Sequence, residues 1–150
     1  MEIVKKILLI MSLIVTLFAN DIIIKESHCD VDTTINNIKS IIKKKGLTLF
    51  AVINHQGNAQ YVDMKLNKSK MIIFGSAKIG TPLMQQDMLV GLDLPIRILV
   101  FRDSDGKVKM AYRDGSWLES KHVINAPKLV EKLNKALNNI TTKAGQCKRD

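Results

Sequence analysis

The segment at residues 71–97, MIIFGSAKIGTPLMQQDMLVGLDLPIR, decides the predicted fold. Its first four residues are all apolar, which is typical of a central strand that is covered by other elements. A loop with two glycines follows, and Thr81 with Pro82 predicts a helix start in which Thr81 is the N-cap. The sequence Leu-Asp-Leu-Pro at residues 92–95 then leads into another apolar run. The segment therefore predicts a strand, a loop, a helix and a second strand.

Strands and helices continue on both sides of this segment. The predicted elements, in chain order, are a strand at 21–25, a helix at about 31–45, a strand at 47–53, a short helix after Asn58, a strand at 71–74, a helix at 82–91, strands at 95–102 and 107–112, and a helix at 127–145. Gly106 supplies the positive φ of a hairpin turn between the last two strands. The order β-α-β-α-β-α-β-β-α predicts an α+β fold, in which helices pack on a mixed β-sheet of about five strands.

The first 19 residues predict a secretory signal peptide. Lys5 and Lys6 precede an apolar run at residues 7–18, and Ala19 is a small residue at a suitable cleavage position. The run is shorter than the roughly 20 residues that cross a bilayer, so we expect cleavage rather than a permanent anchor. Residues 20–150 then form a single periplasmic or secreted domain, which contacts the membrane only through the signal before cleavage.

Charge and cysteines restrict the partners and the compartment. The formal net charge is +9, but the basic residues are spread along the chain and are not interleaved with aromatic residues, so we expect no nucleic-acid partner. A basic surface favours small anionic ligands. Cys29 and Cys147 are the two cysteines, and in an oxidising compartment they predict a disulfide; two free thiols or a metal site are the alternatives.

The glycine loop is the predicted ligand site. A loop that leads into a helix N-terminus exposes backbone N–H groups to an anion. The candidate ligand-binding residues are Gly75, Ser76, Lys78, Gly80, Thr81 and Tyr112. The segment is not a nucleotide phosphate loop, since Thr and Pro follow the second glycine where that motif requires Lys and then Ser or Thr. The alternative is a tight connection in which the glycines only permit unusual φ angles.

Catalytic chemistry has weaker signals. His55 with Asp93 is the candidate acid–base pair of a hydrolase or redox enzyme, which requires the two side chains to approach each other. Asp93 could instead form a structural ion pair with Arg97 or Lys78. The three histidines have no metal-binding spacing, so no metal site is predicted, and no cofactor is indicated. A third hypothesis is an interaction or assembly module that uses a sheet edge or the basic face.

These motifs together resemble a known family, the bacterial and archaeal domain of unknown function 302. Its members carry Asp-His and then Ala, the segment Phe-Gly-Asn-Pro-Lys-x-Gly-Thr-Pro-Leu-Met, then Leu-Asp-Leu-Pro, a later Tyr and a later His. The matching residues here are His55, Ala59, Phe74, Gly75, Lys78, Gly80, Thr81, Pro82, Leu83, Met84, Leu92, Asp93, Leu94, Pro95, Tyr112 and His122. The chain departs at Asn54, where Asp is usual, and at residues 76–77, where Asn-Pro is usual. The resemblance implies a compact α+β domain over residues 22–144 and no particular reaction.

Overall fold

The computed structural model describes residues 21–147, and the predicted signal peptide lies outside them. The α+β class is confirmed. The elements are β1 Ile23–Ser27, α1 Val31–Lys44, β2 Thr48–Asn54, α2 His55–Tyr61, β3 Ser69–Gly75, α3 Ala77–Gln86, a 3₁₀ helix Met88–Leu92, β4 Ile96–Arg102, β5 Val108–Tyr112, α4 Gly115–Lys121 and α5 Pro127–Ala144. Their order follows the predicted one, with a separate 3₁₀ helix after α3 and one further short helix, α4, before the last.

The five described strands form one sheet in the order β1-β5-β4-β3-β2. All four neighbouring pairs are antiparallel, so the sheet is antiparallel rather than mixed. A helix between two strands suggested a parallel neighbouring pair. The strands joined by α1 lie at opposite edges of the sheet, and the strands joined by α2 and by α3 are neighbours that pair antiparallel.

Helices α1 and α5 pack on one face of the sheet. Strand residues alternate between the two faces, so every second side chain of β3, β4 and β5 is buried beneath these helices. The largest buried side chains of this core are Val31, Ile38, Ile42, Ile72, Ile98, Val100, Met110, Leu137 and Ile140. Each contributes about 1.5–3 kcal/mol by leaving water. The opposite face carries side chains such as Arg97 and Leu99, which are exposed or half-buried.

Two helices begin earlier than the sequence predicted. The helix expected after Asn58 begins at His55, because the side chain of Asn54 accepts a bond from the Gly57 amide at 3.0 Å and caps it. An Asp at position 54, as in the family pattern, would accept the same bond.

The predicted N-cap Thr81 is wrong: α3 begins at Ala77 after Ser76, and Pro82 lies inside it. The amide of Gly80 already donates to the carbonyl of Ser76 at 2.9 Å, which closes the first turn. The missing N–H of Pro82 removes a single bond near the start of the helix, so the helix persists through it.

The two ends of the described chain are joined. The predicted disulfide between Cys29 and Cys147 is present, with a sequence separation of 118 residues. Beside it, the amide of His28 donates to the carbonyl of Gly145 at 2.9 Å. The bridge therefore fixes the end of α5 to the connection between β1 and α1.

Candidate functional site

The glycine loop forms a wall of an apolar cavity of about 310 Å³ at one end of the sheet. Four of the predicted ligand-binding residues contribute to its lining, namely Gly75, Ser76, Gly80 and Thr81. The other walls come from the first residues of β2, from the residues before β4, and from the α5 side chains Leu133, Ala136, Leu137 and Ile140. The predicted ligand-binding loop therefore lies beside a cavity.

The two glycines of the loop lie against the residues that precede β4. Neither has a positive φ angle. A Cβ atom at position 75 would lie 3.4 Å from the Cβ of Pro95 and 3.7 Å from the ring of Phe50. A Cβ atom at position 80 would lie 3.4 Å from a methyl group of Leu94. These are ordinary van der Waals distances, so the packing here would accept a Cβ atom at either position.

The polar groups of this cavity are few. Lys78, which was expected to attract an anion, is exposed and does not line the cavity. The amides of Ile79 and Gly80 are already donated to the carbonyl of Ser76. What remains is a largely apolar surface to which Ser76 and Thr81 also contribute, and it suits an apolar ligand better than a free anion.

A bulge in β2 opens the mouth of the same cavity. The register between β2 and β3 shifts between Leu49 and Ala51, so that Phe50 is an extra residue. Its ring lines the cavity, yet 58% of the residue is exposed. A large apolar side chain is therefore left partly in water at the entrance.

A second cavity of about 290 Å³ lies on the sheet face opposite α1 and α5. Asp93 and Tyr112 both contribute to its lining. The Tyr112 hydroxyl, however, lies 3.5 Å from the Thr141 hydroxyl inside the core, and burial raises the pKa of that phenol. His55 and Lys78 line neither cavity, so the structure does not gather His55, Lys78, Asp93 and Tyr112 in one place.

Asp93 is paired with His122 and not with His55. Its Oδ2 atom lies 2.7 Å from the Nε2 atom of His122. His55 follows Asn54 at the end of β2, and Asn54 pairs with Lys70 of β3, which in turn pairs with Val100 of β4. Asp93 precedes Ile96, at the opposite end of β4. Ile96 and Val100 are four residues apart along β4, which corresponds to about 13 Å. The predicted His55–Asp93 pair is therefore not formed.

The second ring nitrogen of His122 faces another carboxylate. The Nδ1 atom lies 3.5 Å from Oδ2 of Asp87, and only 9% of the His122 side chain is exposed. Asp87 also accepts hydrogen bonds from the amides of Leu89 and Val123, and these bonds lower the pKa of its carboxyl group.

A carboxylate oxygen therefore faces each ring nitrogen of His122, at 2.7 Å on one side and 3.5 Å on the other. The cluster instead clamps the connection between α4 and α5 to the 3₁₀ helix. Sequence reasoning had placed both His122 and Asp93 among the residues of the family pattern, but it did not pair them.

Two comparisons with known proteins agree on the domain. The family model described as "Domain of unknown function DUF302" matches residues 23–141. A crystal structure of an uncharacterized conserved DUF302 protein from Bacillus stearothermophilus superposes with a TM-score of 0.71 at 16% identity, covering 83% of this chain and 98% of that one. At this identity the likeness concerns the fold.

Two longer proteins share part of the sequence. The fluoride-specific ion channel FluC 1 of Brucella suis is 37% identical over 97 residues, which are 65% of this chain and 38% of that protein. FluC 2 of Brucella melitensis is likewise 37% identical over 97 residues, which are 36% of its length. The chain thus spans little more than a third of these relatives. Within residues 21–147, no helix combines the length and the apolar character that a membrane crossing requires.

Proposed function

The chain belongs to the DUF302 family, and from this premise we propose that it is a small-molecule-binding domain whose ligand occupies the apolar cavity beside the glycine loop. The observation that carries the proposal is the composition of the walls. Aromatic and aliphatic side chains supply most of the surface, with two hydroxyl groups among them. A volume of about 310 Å³ is that of a small-ligand pocket, and such pockets are mostly apolar with a few polar groups that fix orientation.

The exposed Phe50 ring at the entrance of the cavity favours ligand binding. The exposed ring of Phe50 gains about 25 cal/mol for each Å² of apolar surface that a ligand removes from water. The hydroxyl groups of Ser76 and Thr81 offer hydrogen bonds to one polar group of the ligand. We therefore expect an uncharged or weakly polar molecule with an apolar body.

The proposal includes the compartment in which the domain binds its ligand. With residues 1–19 removed after export, the domain acts in the periplasm or outside the cell, without a nucleic-acid partner. The channel activity in the names of the Brucella proteins belongs to those whole proteins, of which the matched segment is 36–38%. We take that segment to be a ligand-binding module within them.

Binding of a neutral fluorescent probe tests the proposal. N-phenyl-1-naphthylamine should bind saturably to the wild-type protein with increased fluorescence, because the cavity excludes water from it. Ala136→Phe places a ring in the cavity from α5 and should weaken binding at least tenfold, with the fold kept, as circular dichroism would show. Asn139→Phe adds the same ring at an exposed position of the same helix and should bind like the wild type.

Two results would overturn the proposal. One is the absence of saturable binding to the wild-type protein. The other is equal binding to a folded Ala136→Phe variant, which would place the probe elsewhere.

A further inference from the structure

Two arginines, Arg97 and Arg113, line the cavity on the sheet face opposite the helices. Ile98 of β4 pairs with Tyr112 of β5, and both are buried beneath the helices. Continuing this register places Arg97 opposite Arg113, and the alternation of strand side chains directs both to the other face. Both line the cavity of about 290 Å³.

This arrangement is unfavourable without a partner. Like charges directly opposite each other in an antiparallel pair repel. No carboxylate of residues 21–147 lies within 4.0 Å of either guanidinium group. Guanidinium groups bind carboxylates and phosphates through paired N–H donors, so an external anion is the partner that this pair fits.

Each arginine is held in place by one contact that leaves most of its donors free. An Nη atom of Arg97 donates to the carbonyl of Leu92 at 2.7 Å. The guanidinium carbon of Arg113 lies 4.5 Å from the ring centroid of Trp117, in a cation–π contact. A guanidinium group has five N–H donors, so both retain donors for a ligand.

Asp93 is the carboxylate that also lines this cavity, and it does not neutralise the arginines. Its Oδ2 atom is engaged by His122 at 2.7 Å. The nearby Asp21 carboxylate is engaged by Lys121 at 3.4 Å. The cavity therefore keeps an excess of positive charge.

The surface next to the arginines is apolar. In the neighbouring row of the sheet, Ala111 pairs with Leu99, and Leu99 pairs with Met71. These three side chains line the cavity together with Ile22 and Trp117. A ligand that reaches the arginines with an acidic group would lay an apolar body on this surface.

We propose that this cavity is a second site, distinct from the apolar cavity, and that it binds an organic anion with an apolar body through Arg97 and Arg113. The acidic group is a carboxylate or a phosphate monoester, because both present oxygens to a guanidinium pair. The site does not depend on the function proposed for the first cavity.

Isothermal titration with octanoate, octyl phosphate and octanol tests the second site. The titrations use the wild-type protein and the Ala136→Phe variant, in which the apolar cavity is filled. Octanoate or octyl phosphate should bind saturably to both, and octanol at least tenfold more weakly. The acid that binds more tightly identifies the acidic group.

The arginine variants locate the bound anion. Arg97→Gln and Arg113→Gln should each weaken anion binding at least tenfold. Each variant should stay folded with a melting temperature close to that of the wild type, because the loss of like-charge repulsion offsets the loss of the one contact that each guanidinium group makes. Arg102→Gln removes an exposed arginine of the same strand outside this cavity and should bind like the wild type.

Three results would overturn the second site. They are the absence of saturable anion binding, octanol binding as tight as that of the acids, and full binding by folded Arg97→Gln and Arg113→Gln variants. If Ala136→Phe were the one variant that lost octanoate binding, the anion would lie in the apolar cavity. That result would equally refute a second site.

Discussion

Removal of the disulfide should cost a large part of the stability of this domain. Cys147→Ser breaks the bridge at the chain end and keeps the buried Cys29 side chain in place. The bridge closes a loop with a sequence separation of 118 residues. Such a loop restricts the entropy of the unfolded chain by roughly 16 cal/mol/K, which is about 5 kcal/mol at 25 °C. The whole stability of a domain is only about 5–15 kcal/mol.

Equilibrium unfolding in urea, with and without reductant, measures this contribution. The oxidised wild type should be about 2–5 kcal/mol more stable than Cys147→Ser, the range seen for native bridges. The thermal midpoint should fall by about 10–20 °C at the upper end of that range. Alkylation followed by mass spectrometry of the non-reduced protein should find no free thiol.

The variant in reductant is the matched control. If the bridge is responsible, reductant should lower the stability of the wild type to that of Cys147→Ser and leave the variant unchanged. The reasoning is refuted if Cys147→Ser is as stable as the oxidised wild type. It is also refuted if both thiols of the non-reduced wild type react with the alkylating agent.

Three further predictions concern the clamp and the core. Hydrogen bonds to the ionised form lower the pKa of Asp87, so its stabilisation is present above the unfolded value of about 3.9 and is lost as the pH falls through the lower folded value. Urea unfolding should therefore show Asp87→Asn less stable than the wild type at pH 7, with a smaller difference at pH 3; a constant difference would contradict this. His122→Ala should cost about 1–3 kcal/mol because it leaves two carboxylates without their partner. A double-mutant cycle with Asp93→Asn should give a coupling energy of about 0.5–3 kcal/mol, and a value near zero would argue against the clamp. Ile98→Ala, at a fully buried position, should cost about 2–5 kcal/mol by calorimetry, and a loss below 1 kcal/mol would show that the core collapses around the cavity.

The helices and strands were predicted well from the sequence, because the preferences of turn and capping residues act over only a few residues. Gly106 has a φ of +80°, as its place in the hairpin turn required. Asp30 caps α1 by accepting a bond from the Thr33 amide at 3.0 Å, which is a role that Asp commonly takes before a helix. The start of α3 was misplaced because Thr-Pro is a stronger local signal than Ser76, whose side chain makes no capping bond.

Contacts between residues that are far apart in the chain were not predicted from the sequence. Asp93 and His122 are 29 residues apart, and only the folded chain brings them to 2.7 Å. The guanidinium pair was missed for a related reason: the facing of Arg97 and Arg113 depends on the register between β4 and β5. Once a hairpin turn near Gly106 is predicted, that register follows by counting, so the signal was present but unused. The strand order depends on where α1 carries the chain, and no local sequence pattern predicts that path.

The bulge at Phe50 links ligand access to solubility. β2 is an edge strand of the described sheet, and a regular edge strand offers its free N–H and C=O groups to a second molecule. The inserted residue interrupts that ladder and also turns an aromatic ring to the cavity mouth. Deleting this one residue would flatten the edge and remove the ring together, so loss of binding and self-association should arise in the same variant.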